Sequence, residues 1–216
     1  QFQATLKHDP KCAMAHWGMA LSLGGNPFGT PHRQPDKTVQ EAWAAVSKAA
    51  ALGTGSEREK AYIAAATELW REAQTRAPSA RLTAYTQAME RVALQYAEDR
   101  EAALFYALSL AASAPPTDKT YANQLKAGTL LEKIFLEQPE HPGIAHYIIH
   151  AYDFPPLAPK ALDAARRYAK IAPSASHALH MPSNTFTRVG YWQDSIDTNI
   201  ASAKVAQKEG CTADEL

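Results

Sequence analysis

No stretch of the sequence is apolar over the roughly 20 residues that a helix needs to cross a bilayer, and residues 1–20 lack the succession of charged, apolar and small residues that marks a secretory leader. The chain as given is therefore expected to be soluble, with no membrane insertion. Charge of one sign is missing too: 22 Lys and Arg are balanced by 22 Asp and Glu. Phosphate-backbone binding needs a broad positive field, so nucleic acid is not an expected partner. Cysteine is scarce. Cys12 and Cys211 stand near opposite ends with no Cys-x-x-Cys or Cys/His spacing, which argues against a zinc ribbon or a thioredoxin-type centre and leaves open a bridge between the two. Gly-x-Gly-x-x-Gly, P-loop, Gly-x-Ser-x-Gly and His-Glu-x-x-His motifs are all absent, so nucleotide use and standard serine or zinc-protease chemistry have no residues to carry them. Sustained alternation of Val, Ile and aromatic residues is also lacking, which removes the signal for strands.

The chain carries 46% hydrophobic and 20% charged residues, enough to bury a sizeable core. Alanine-rich stretches place apolar residues three and four apart, and short breaks of Pro, Gly and Asp separate them. This predicts an all-α fold with helices near 12–24, 37–52, 57–74, 80–97, 100–113, 119–137, 142–153, 159–172, 182–190 and 192–208. Ser56 followed by Glu59 is a capping box, in which each side chain satisfies an orphan amide of the other's end of the turn. Gln1 to Pro10 read as the end of a helix halted by proline, and Thr212 to Leu216 as the start of another. Both predict a fragment of a longer natural chain.

Pro139 and Pro173 each close a helix and stand 34 residues apart, the period of a tetratricopeptide unit. The expectation is a single tetratricopeptide-like domain over 1–216, its helical hairpins stacked into a right-handed superhelix, with the best-defined repeats at 142–175 and 176–209. In the second of these, Ser183, Phe186, Gly190, Trp192 and Ser195 occupy the repeat's small and aromatic slots; in the first, Tyr152, Ala161, Tyr168 and Pro173 do. Asp9 to Ala20 and Phe105 to Ser109 resemble less regular units.

Eight histidines are present, and five of them (His141, His146, His150, His177 and His180) fall within residues 141–180. His146 and His150 lie one helical turn apart on one face, within reach of a single ion. One repeat later come His180 and Asn184, so the pair recurs as His-x-x-x-Asn. The groove-facing positions of the two first helices hold His146, His150, Asp153, His177, His180, Asn184 and Thr187, which form the expected ligand groove. Neutral imidazoles ligate transition metals such as zinc or copper, and three of them with an open position would suit metal-assisted chemistry. Packing and carbonyl hydrogen bonding are the competing explanation, since helical histidines commonly fill core positions. Pro182 breaks helical rules beside His180, through a late helix start or a kink. His16 is expected to be structural, His141 a surface or capping residue, and Trp17, Trp43, Trp70 and Trp192 core residues. Asn199 occupies an aromatic slot and predicts a polar contact across helices.

The segments Cys12 to Gly18 after Asp9-Pro10, Ala145 to Asp153, and His177 to Ser183 with Gly190 resemble a bacterial family of tetratricopeptide-repeat proteins. The resemblance spans nearly the whole chain. It implies a helical-repeat fold, a longer natural chain and, because many members begin with an export signal, a periplasmic or secreted location; it implies no particular activity. Members usually carry His after Met-Pro-Ser, where this chain has Asn184. If the family holds metal through its paired histidines, the set left here is His146, His150 and His180.

Two functions follow. The first is a scaffold that binds a protein, peptide or small ligand in its histidine-rich groove, with a protein or peptide partner and no enzymatic activity expected. The alternative is a metal-binding protein or metal-dependent enzyme, for which Asp153 is the nearest general base.

Overall fold

Capping and proline placement set the helix boundaries in the computed structural model of the protein, which describes residues 1–28 and 35–209. Among these residues every regular element is helical. They form two units, Gln1–Thr117 and Asp118–Leu216. A pairing of Cys12 with Cys211 lies outside the described residues.

The first unit contains α1 (Phe2–His8), α2 (Ala13–Ser22), α3 (Asp36–Leu52), α4 (Glu57–Trp70), α5 (Pro78–Gln95) and α6 (Arg100–Ala112). The Ser56–Glu59 capping box starts α4 as expected. Consecutive helices pack on one another, and small side chains let them approach: Ala20, Ala42, Val46, Ala49, Ile63 and Ala66 are buried in one cluster with Trp70. Trp17 meets Tyr62 and Phe105 edge to face at 5.8 and 5.6 Å. Trp43 is a correction to the expected core, being 43% exposed. The buried face of α3 is made by Val39, Ala42, Ala45, Val46 and Ala49, and Trp43 stands at its margin, one turn from Val39.

Asp99 joins two of these helices. Its Oδ1 accepts from the Glu101 and Ala102 amides at 3.1 and 3.3 Å, capping α6, while its Oδ2 accepts from the buried Tyr62 hydroxyl at 3.0 Å. Replacing Asp99 by Ala removes the cap and strands that hydroxyl. The expected loss is about 2–3 kcal/mol in urea unfolding, and a loss below about 0.5 kcal/mol would show the network to be idle.

The second unit contains α7 (Ala122–Glu137), α8 (Pro142–Ala151), a 3-10 turn (Ala158–Ala161), α9 (Leu162–Ile171), α10 (Ser176–His180), α11 (Pro182–Arg188) and α12 (Trp192–Glu209). Here α8 packs on α7 and α9, and α11 on α8, α9 and α12. Pro142 and Pro182 each sit in a first turn, where the missing amide costs nothing. The first helix of the last hairpin is thus two segments: α11 begins at Pro182, and the short α10, which no separate start signal announces, precedes it. Met181 bridges them in right-handed helical geometry, its amide donating to His177 O at 3.0 Å and its carbonyl accepting from the Asn184 amide at 3.2 Å. Trp192 is the second correction: it is 63% exposed at the start of α12, whose inward side is Ser195, Ser202 and Ala206. Gly128 on α7 lies against the ring of Tyr152, which is 1% exposed.

Candidate functional site

The histidines stand on α8 because the other side of that helix is apolar. Ile144, Ala145, Ile148, Ile149 and Ala151 are buried, leaving His146 and His150, four residues apart, half-buried on another face. From the next hairpin, α10 brings His177 to the same place. The Nε2 atom of His146 stands 3.0 Å from His150 Nε2 and 3.1 Å from His177 Nε2. Among the described residues, one ring nitrogen from each of these three histidines lies within 4.8 Å of the other two, and this group could hold a metal. Tyr168 of α9 stacks on the His146 ring at 5.4 Å and 13°, fixing its plane.

Burial and mutual proximity keep the rings uncharged. Desolvation pushes the His146 pKa down to about 3, helped by His150 and His177. Desolvation likewise lowers His150 to about 4, against the pull of the Asp153 carboxylate and with the help of His177. His177, the most exposed of the three, is also lowered, through partial burial of its ring and the neighbouring His180. At neutral pH the site offers lone pairs and N–H groups rather than positive charge.

The remaining expected groove residues take other partners. His180 turns from the triad to α12, its Nδ1 lying 2.8 Å from Asn199 Oδ1. Asn199 Nδ2 donates to Ser195 O at 2.9 Å, which orients the amide so that Oδ1 accepts; His180 therefore carries its proton on Nδ1. Asn199 is thus the polar contact across helices that its slot predicts, with His180 as the partner the sequence left unnamed. Asp153 Oδ1 accepts from Arg188 Nε, tying the end of α8 to α11. Thr187 Oγ1 shares a hydrogen bond with Ser195 Oγ at 2.8 Å, and Asn184 is half-buried on α11. His16 stands 3.4 Å from the Pro10 carbonyl, and His141 takes the N-cap position of α8 without a capping hydrogen bond.

The third member of the triad is His177 where repeat equivalence points to His180. Residues one full repeat apart occupy matching sites on successive helices, whereas contact across the groove involves residues offset by about one turn. His177 lies 31 residues after His146, one helical turn short of the 34-residue period. The stacking of Tyr168 carries no signal in the sequence beyond its aromatic slot.

The hairpins and the polar face of α8 define a tetratricopeptide-like helical-repeat protein. No protein-family profile matches the chain, and no curated protein matches it in sequence. Among solved structures it is similar to MamA MSR-1 C2, a tetratricopeptide-containing protein, at a TM-score of 0.54 and 10% identity, over 97% of this chain and 99% of that one. That likeness is one of fold.

Proposed function

We propose that the chain is a tetratricopeptide-type binding scaffold whose second unit offers its histidine-lined face to an extended segment of a protein or peptide. The observation that carries this reading is the division of α8. Its apolar side is consumed by the core, while His146, His150 and, just past its end, Asp153 line a polar side at helical spacing opposite His177 and Arg188. A helix that needs only a core would be solvated by Lys and Glu there; uncharged imidazoles in a row instead supply directional donors and acceptors. The face lacks the Lys and Asn pattern of carboxylate clamps, so the partner is expected to engage through polar side chains and backbone rather than an acidic tail.

Photocrosslinking in the source cells tests this. A benzophenone amino acid at the exposed Thr187 is expected to yield a discrete adduct with one partner, and the same probe at Leu136, which is 86% exposed on α7, is expected to yield none. The adduct should survive chelator and disappear when Asp153 and Asn184 are both changed to Ala. Equal labelling from both positions, or none from Thr187, would refute the scaffold reading.

A further inference from the structure

Hydrogen bonding does not complete the histidine cluster. An imidazole nitrogen has one hydrogen or one lone pair in the ring plane, so it makes one well-aligned hydrogen bond. Nε2 of His146 nevertheless meets two other Nε2 atoms, at 3.0 and 3.1 Å. Whichever tautomer His146 adopts, at least one of these contacts is left poorly satisfied. A cation between the rings satisfies all three lone pairs at once.

The spacing suits such an ion. Zn–N bonds of about 2.0–2.1 Å in a tetrahedron place neighbouring nitrogens about 3.3–3.4 Å apart, between the closest contacts here and the 4.8 Å that bounds the group. We propose that His146, His150 and His177 bind one borderline transition-metal dication of the zinc class, leaving a coordination position open to solvent and to whatever occupies the face. All three donors are nitrogen, which selects this class over the oxygen-seeking Mg2+ and Ca2+. The rings are already uncharged at neutral pH, so binding displaces few protons. Among the described residues no fourth His, Cys, Asp or Glu joins the group, and three protein ligands with one position left open is the arrangement of exchangeable or catalytic zinc rather than of closed structural sites. Tyr168 holds one ligand ring in plane, so part of the ordering cost is met before the ion arrives.

The site is independent of the scaffold reading, because metal uptake needs no partner and the crosslinking above is read in chelator. Untagged protein stripped of metal is titrated with ZnCl2 by calorimetry and with Co2+ by absorption. One equivalent is expected, with a Co2+ spectrum of low-coordinate nitrogen ligation and a Tm rise of about 5–10 °C at a hundredfold excess over Kd. His177→Ala, an exposed position whose fold is checked by circular dichroism, should weaken Zn2+ binding by about a hundredfold or more, and His180→Ala by less than about tenfold. Uptake by the wild type no tighter than by a variant lacking all three histidines would overturn the site. A loss at His180→Ala as large as that at His177→Ala would overturn this ligand set.

Discussion

Acidifying the metal-free protein from pH 7 to pH 4 should cost it of order 3 kcal/mol of stability, with the fall beginning near pH 6.5 and well above the range of ordinary carboxylates. His146 and His150 titrate near pH 6.5 in the unfolded chain but at about 3 and about 4 in the folded one. Between those values the unfolded state binds more protons, so stability rises with pH across the window and is lost on acidification. Each group could contribute up to about 1.4 kcal/mol per pH unit; their mutual coupling and partial solvent access bring the sum down to the figure given. The groups around them do not cancel the effect. The His177 ring, itself lowered, opposes charge on both, Arg188 on α11 is a fixed cation, the Tyr168 hydroxyl is raised far from this range, and the Asp153 carboxylate alone favours a charged His150. Urea midpoints measured in chelator at half-unit pH steps would show the slope. A variant with His146 and His150 both changed to Leu should lose most of this slope between pH 6.5 and 4.5, keeping only the part that the lowered His177 supplies. If it falls in parallel with the wild type, the acid sensitivity lies elsewhere.

Gly128→Ala should destabilise the second unit by about 2–3 kcal/mol, although the same change in an open helix would add about 1 kcal/mol of helix propensity. A Cβ at this position would sit 2.2 Å from Cζ of Tyr152 and 2.4 Å from its hydroxyl oxygen. Tyr152 is 1% exposed and cannot swing into solvent, so either its ring leaves its rotamer or α7 and α8 move apart, and sterics outweigh propensity. Gly143 serves as a control: its nearest neighbour would be a ring carbon of His141 at 3.1 Å, and Gly143→Ala should change stability by less than about 1 kcal/mol. Combining Gly128→Ala with Tyr152→Leu should cost less than the sum of the two. Strict additivity would mean that the contact does not limit how closely the helices approach.

Much of this architecture is legible in the sequence because it is set by local chemistry. Ser56 and Glu59 start α4, Pro142 starts α8, and apolar residues at helical spacing place the helices between them. The exposure of Trp43 and Trp192 has a different origin. Size and hydrophobicity say that burial is favourable, but which side of α3 or α12 turns inward depends on partner helices that no local pattern names. The histidines divide in the same way. Membership of one polar face follows from the spacing of His146 and His150, whereas the choice of His177 over His180 follows from the offset between neighbouring hairpins and from the hydrogen bond to Asn199. Pro182 was readable as a disturbance; that α10 would precede it as a separate turn was not.

The contact between His146 and His177 also has a topological side. It closes a loop of chain 31 residues long, with the whole of α9 inside it. Anything that bridges these two side chains acts on the unfolded chain as a removable cross-link, and a loop of that length restricts the coil by roughly 3–4 kcal/mol in the chain-entropy picture. Bridged, α9 could not fray without stretching the clasp; unbridged, the last hairpin would be the part of the unit freest to peel away and re-seat.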